Sequence, residues 1–178
     1  MDYAAAMRSI IFLLLSVLAE PASAGLIEGR VIEVSDGDTI TVLARQGSSM
    51  HRVRLAGVDA PPAASQLGGL ARENLRRIVR GKQVRVDTMA MSPKGVLIGV
   101  VQVYPNPKDC GGAGCEAAID PGLSQLTAGM AGLDKANLAY QSEEAQRRYA
   151  FAEAHARTNK LGLWRPAPQR YQVRAEVR

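Results

Sequence analysis

Asp36, Asp38 and Asp59 are the side chains whose type and spacing could do chemistry, and Arg54 falls between the last two in sequence. They stand in V-S-D-G-D-T-I, Val34 to Ile40, and V-R-L-A-G-V-D-A-P, Val53 to Pro61. A hard cation such as Ca²⁺ takes oxygen ligands at ~2.3 to 2.6 Å, and two carboxylates with a backbone carbonyl and waters can supply them. Arg54 could point toward the same pocket, where its planar fork suits a phosphate. The same residues admit a plainer reading, with D-G-D as an Asx-type hairpin turn and Asp59 as a strand cap, and spacing alone does not separate the two.

The elements that must position these groups follow from the hydrophobic pattern. Ile32, Val34, Ile40 and Val42 fit strands broken by the Asp36-Gly37-Asp38 turn, and the pattern predicts a further strand over Val53 to Val58 ending at Asp59. Asp38 and Asp59 would then be strand-end carboxylates able to face one another. Arg45 to Met50 is polar enough for a hairpin loop. From Gly69 to Val79 the period becomes helical through Leu70, Asn74, Leu75, Ile78 and Val79, with Gly81 closing the helix. Arg72, Arg76, Arg77 and Arg80 take its other surface and read as a solvated face in preference to a nucleic-acid groove. Val84 to Val86 and Val96 to Tyr104 are predicted strands joined by M-A-M-S-P-K-G, which places Met89 and Met91 on the loop. Ser124 to Leu133 predicts a short helix, and Ser142-Glu143-Glu144 caps a last one carrying Tyr149, Ala152 and Ala156 on one face.

The chain has 178 residues and a formal charge of +5, a balance compatible with an anionic partner and equally with ordinary solubility. Arg8, the apolar run Ile10 to Ala19 and Ala22-Ser23-Ala24 predict a secretory signal over residues 1–24. The run falls short of the ~20 residues that cross a bilayer, so no stable membrane span is expected after cleavage, and the mature chain should be periplasmic or secreted. Residues 25–168 suffice for one domain, including an irregular Gly- and Pro-rich insertion at 105–122, with 169–178 as a polar tail. Cys110 and Cys115 are expected to form a disulfide in an oxidising compartment, since two thiolates make only half a zinc site. His51 and His155 are isolated, which argues against a histidine-based triad. With 4% aromatic residues, base stacking would have to rely on Tyr104 or Tyr140.

Taken together, V-S-D-G-D-T-I, V-R-L-A-G-V-D-A-P, Q-L-G-G-L-A (Gln66 to Ala71), R-G-K-Q-V (Arg80 to Val84), S-Q-L-T-A-G-M-A (Ser124 to Ala131) and L-G-L-W (Leu161 to Trp164) resemble the thermonuclease, or micrococcal-nuclease-like, family. That resemblance implies a mainly β fold, a five-stranded barrel of the oligonucleotide-binding type with about three packed helices. It also implies Ca²⁺-dependent hydrolysis of phosphodiester bonds in DNA and RNA. The family's metal-ligating carboxylates carry over onto Asp38 and Asp59, its ligating carbonyl onto Ala60, the acid behind them onto Asp36, and a phosphate-binding arginine onto Arg54.

Two positions depart from the family pattern. Pro62 stands where the family has a glutamate that positions the attacking water, and Gly95 where it has a second phosphate-binding arginine, with Lys94 one residue earlier. A general base contributes ~10² to 10⁴-fold, and one donor to transition-state charge ~10² to 10³-fold. Lysine restores a charge but not the two-pronged fork. Glu73 lies inside the predicted helix rather than at its start. The expectation is therefore an exported thermonuclease-like domain with impaired catalysis, acting as a nucleic-acid-binding or structural module in the cell envelope or a DNA-transfer assembly. The alternative is a Ca²⁺-dependent phosphodiesterase working with a reduced set of Arg54 and Lys94. A third reading makes the 105–122 insertion a protein contact.

Overall fold

A computed structural model describes residues 25–104 and 119–166. The predicted signal, Cys110 and Cys115, most of the insertion and the tail lie outside the described residues. Strands β1 (Leu26–Val34), β2 (Thr39–Ala44) and β3 (Met50–Leu55) form an antiparallel meander, followed by the short β4 (Val58–Asp59) and helix α1 (Gln66–Val79). Strands β5 (Gln83–Met91) and β6 (Leu97–Val103) pair with each other, β5 with β1 and β6 in parallel with β3. The barrel thus closes in the order β1-β2-β3-β6-β5, the five-stranded mainly β architecture expected. Inward-pointing Val31, Ile40, Val42, Val53, Leu55, Val84, Val86, Val101 and Val103 fill it, each at most 2% exposed. The alternation of period two that put these residues on one face is what folds the sheet on itself.

Helix α1 seals one opening of the barrel with Leu75 and Val79, both fully buried. Burying a leucine or valine side chain of this kind contributes about 1.5 to 3 kcal/mol. The rest of the chain is α2 (Pro121–Thr127), β7 (Gly132–Leu133), α3 (Lys135–Leu138), α4 (Glu143–Thr158) and a 3-10 turn at Gly162–Trp164. Ser142 Oγ caps α4, accepting from the Ala145 amide at 3.3 Å, and Tyr149, Ala152 and Ala156 form its buried face. The L-G-L-W segment packs back as the Leu163 amide donates to Gly129 O at 2.8 Å, and Arg157 lies 3.9 Å from the Trp164 ring centre. Among the described residues no helix is long and apolar enough to cross a membrane.

Several predicted boundaries shift. The strand expected over Val53 to Val58 is broken: Gly57 adopts φ 76°, a left-handed turn that L side chains resist, and Val58–Asp59 then pairs with β7 instead of continuing β3. Helix α1 begins at Gln66, three residues before Gly69, because Ser65 Oγ accepts from the Gly68 amide at 3.0 Å. The strand expected over Val84 to Val86 extends to Met91, so Met89 and Met91 belong to β5 and only Ser92 to Val96 make the hairpin. Helix α2 starts earlier than Ser124, with Pro121 at its first turn and the Asp120 carboxylate accepting from the Leu123 amide at 3.0 Å. It ends at Thr127, so that Gly132 and Leu133 can turn back to pair with Asp59 and Val58.

Candidate functional site

Two local devices bring the sequence-distant acids together. The D-G-D turn between β1 and β2 is closed by the Ser35 and Asp36 amides, which donate to Thr39 O at 2.9 and 3.3 Å. Gly37 lets this turn lie against α1 and the end of β4, since a Cβ there would stand 2.6 Å from that of Ala71 and 2.7 Å from that of Ala60. The Leu55 amide in turn donates to Asp38 O at 2.8 Å, fixing β3 to the turn. Asp38 is thereby 6% exposed, its Oδ1 accepting from Thr39 Oγ1 at 2.7 Å and its Oδ2 from the Ala60 amide at 3.2 Å.

Arg54, on β3 opposite Thr39, projects into the angle between the two acid-bearing segments. Its Nη2 donates to Asp59 Oδ1 at 2.7 Å, and its Nε lies 3.4 Å from Asp38 Oδ2. A further carboxylate, Asp134 Oδ2, stands 3.8 Å from the same Nη2. The structure therefore places Asp38, Asp59 and Arg54 in one pocket, with the Ala60 backbone bound to Asp38. Arg54 Nε is buried without a hydrogen-bond partner among the described residues, because Asp38 Oδ2 lies off its N–H direction. The Asp59 side chain is 65% exposed, so the pocket opens to solvent on that side.

The other expected residues fall elsewhere. Asp36 pairs with Arg52 at 3.6 Å, its side chain about one-third exposed. Lys94 sits on the exposed β5–β6 hairpin, and among the described residues it makes no ion pair with the pocket. Glu73 is held by Arg76 and Arg77 at 3.8 and 3.5 Å on the solvent face of α1. Pro62 turns its carbonyl toward the start of α1, accepting from the Ser65 amide at 2.9 Å and from Ser65 Oγ at 2.8 Å.

Asp134 is the pocket residue the sequence reading missed. It caps α3, its Oδ1 accepting from the Ala136 and Asn137 amides at 3.1 and 3.3 Å while Asn137 Nδ2 donates to its Oδ2. An Asp before K-A-N-L is a recognisable cap signal, but nothing local says that the cap faces Arg54. The pairing of β4 with β7 does that, by carrying the chain just past Leu133 to the mouth of the pocket.

Three carboxylates against one guanidinium leave two negative charges in excess at this mouth. An anionic substrate is not drawn to such a pocket unaided; a cation is. All the donors are hard oxygens, so Asp38 and Asp59, with the Ala60 carbonyl, fit Ca²⁺ in chemistry. Among the described residues no group of three or more acidic, histidine or cysteine side chains is gathered closely enough to hold a metal by itself, so water would have to complete the shell.

A closed five-stranded barrel with an acidic, arginine-bearing pocket beside its helical cap defines a nuclease-like domain of the oligonucleotide-binding type. The chain belongs to the staphylococcal nuclease homologue family, whose pattern matches residues 52–166. It is 29% identical over 167 residues to a micrococcal nuclease of Shigella flexneri, covering 90% of this chain and 86% of that protein. It is 35% identical over 98 residues to an uncharacterized endonuclease of Escherichia coli O157:H7, covering 55% of this chain and 61% of that one. Over 99 residues it is 37% identical to the protein ParB of Escherichia coli, with 56% of this chain and 54% of that protein covered.

Proposed function

We propose that this chain is an exported nuclease-fold protein that binds the phosphodiester backbone of DNA or RNA at the Arg54 pocket and has given up fast hydrolysis. The observation that carries this reading is the composition of the pocket. Arg54 is retained among Asp38 and Asp59, while Pro62 occupies the position of the family's water-positioning glutamate and Lys94 lies on an exposed hairpin. When bound, Ca²⁺ would neutralise the excess charge and polarise a phosphoryl oxygen. Asp38, Asp59 and the Ala60 carbonyl would hold it. Asp38 is fixed for this by Thr39 Oγ1 and the Ala60 amide. Arg54 offers its remaining N–H groups to a phosphate, provided that its contact with Asp59 loosens. Export rests on the apolar segment at Ile10 to Ala19, and a role in an envelope or DNA-transfer assembly is the setting that fits a binding module there.

Incubating the protein with single-stranded and duplex DNA across a range of Ca²⁺ concentrations tests this reading. Binding that weakens in Arg54→Ala, with at most slow cleavage, is expected; rapid metal-dependent cleavage that vanishes in Asp59→Ala would overturn it.

One observation favours a second reading, an active Ca²⁺-dependent phosphodiesterase. Asp134 brings to the pocket mouth a carboxylate that could take over water positioning from the missing glutamate. On that reading Asp134→Asn lowers cleavage by about 10² to 10⁴-fold while leaving nucleic-acid binding in place.

A further inference from the structure

We propose that the groove between α1 and β1, lined by Arg72, Arg76 and Arg80, is a second binding surface that carries the phosphate backbone of single-stranded nucleic acid away from the Arg54 pocket. It deepens the reading above and rests on nucleic acid being the ligand. Arg72 and Arg76 stand four residues and about 6 Å apart on one face of α1, and Arg80, four residues further on, is the helix's C-cap, its amide donating to Arg76 O. Opposite them β1 contributes Ile32, Glu33 and Val34, and the space between is ≈ 220 Å³.

The β1 side of the groove is shaped by a bulge. The pairing with β2 runs from Val31↔Val42 to Glu33↔Thr41, leaving Ile32 as the extra residue. Bulges of this kind re-aim side chains, and Ile32 is 41% exposed on the groove floor despite its apolar character. An apolar floor beside a row of guanidinium groups suits an unpaired strand, whose sugars and base faces are available for contact. A duplex turns those faces inward.

Position supports continuity with the pocket. Ala71 packs on Gly37 of the D-G-D turn, so Arg72 is the next residue along α1 from the point where the helix meets the site. Arg76 and Arg80 follow one and two turns farther out. Val34 leads directly into the same turn on the strand side. Among the described residues Arg72 and Arg80 make no ion pair, and Arg76 has only a half-exposed Glu73 at 3.8 Å. Among the described residues Glu33 is the one carboxylate lining the groove, and Glu73 is shared between Arg76 and Arg77, so the groove keeps a positive surplus, the reverse of the pocket's sign. A strand neutralised along the groove and a cation held in the pocket are mutually compatible; two anionic sites would not be.

The test is a salt titration of binding at a fixed low Ca²⁺ concentration, read by fluorescence anisotropy of a labelled single-stranded oligonucleotide whose phosphorothioate linkages resist cleavage. Each phosphate neutralised on a single strand contributes about 0.7 to the slope of log K against log salt. The triple variant Arg72→Gln, Arg76→Gln, Arg80→Gln should flatten that slope by about 2 and weaken binding by roughly tenfold or more at moderate salt. The triple lysine variant should keep the slope, and Glu33→Gln should tighten binding, a gain that misfolding cannot mimic. An unchanged slope in the glutamine variant, or an equal change on a duplex, overturns the proposal. Binding lost in Arg54→Ala but untouched by the glutamine variant removes the groove and leaves the pocket reading standing. The converse keeps the groove and removes the pocket.

Discussion

At Arg54 one guanidinium is divided among three carboxylates, one of them two-thirds exposed, and its Nε has no hydrogen-bond partner among the described residues. At Gln125, on the other side of the same D-G-D turn, one neutral amide is fully enclosed and satisfied. Its Nε2 donates to Gly37 O at 2.5 Å and Ala71 O at 2.9 Å, and its Oε1 accepts from Asn74 Nδ2 at 2.5 Å. Gln141 repeats the pattern, 7% exposed, donating to Ala56 O at 2.7 Å beneath the β3–β4 turn. The two glutamines hold the backbone on which the charged pocket is mounted. A buried neutral group with every partner in place rigidifies, whereas a charged cluster with surplus charge and an open side is suited to exchange partners with a ligand.

The sharpest way to break this contrast is to remove the neutral side of it. Gln125→Ala leaves Gly37 O and Asn74 Nδ2 without their partner and opens a cavity where α1, α2 and the turn meet. It should cost about 2 to 4 kcal/mol in urea unfolding. Asp38→Asn keeps the side chain's shape and should cost less stability than Gln125→Ala while weakening Ca²⁺ binding. If Asp38→Asn proves the more destabilising of the two, the division between a structural amide and a functional carboxylate fails.

How much of this could be read from sequence follows the same division. Asp38, Arg54 and Asp59 were legible because each sits in or beside a strand whose alternation fixes the direction of its side chain, within a stretch of little more than twenty residues. The barrel strands were legible for the same reason, as was the Ser142 cap. Gln125 was not: it sits in a short helix marked only by Leu126 and Met130, and a glutamine in such a pattern reads as surface. Its burial depends on α1 and the D-G-D turn, 54 and 88 residues away in the chain. Asp134 escaped likewise, since its place at the pocket is set by the pairing of two-residue strands too short to leave a periodic signal. Met89 and Met91 read as loop residues in the sequence because a bulge between Thr88 and Ala90 interrupts the alternation of β5.

A third buried polar pair stands between the two extremes and responds to pH. Tyr149 Oη donates to Asp120 Oδ1 and Oδ2 at 2.9 and 3.0 Å, joining α4 to the cap of α2. Burial pushes the Asp120 carboxyl above its ordinary range, and the Leu123 amide and Tyr149 hydroxyl only partly counter it. Burial, with the Asp120 charge adding to it, also raises the Tyr149 hydroxyl. The folded state therefore holds the Asp120 proton more tightly than the unfolded chain does. Its contribution is fully present below about pH 4 and is lost as pH rises through the raised folded value. Comparing unfolding free energies of the natural protein and Asp120→Asn across that interval should isolate this downward slope, which the variant lacks. Tyr149→Phe should cost about 1.5 to 3 kcal/mol near neutral pH, where the carboxylate loses a donor, and less in acid.

The smallest effect carries the finest distinction, because Asp134 belongs to both kinds of cluster. As the cap of α3 it is structural, and Asp134→Ala should cost about 1 kcal/mol through the Ala136 and Asn137 amides it leaves unpaired. As a carboxylate beside Arg54 it adds to the charge that repels a phosphate. Removing it lowers the pocket's excess from two negative charges to one, so nucleic-acid binding measured without metal should strengthen even as the fold weakens. Asp134→Asn should separate the two roles, since an asparagine Oδ1 can still cap the helix but carries no charge. It should restore most of the stability and keep the gain in binding. Binding that falls in parallel with stability in both variants would mean that Asp134 shapes the pocket only by holding α3, and that the charge balance at Arg54 is set by Asp38 and Asp59 alone.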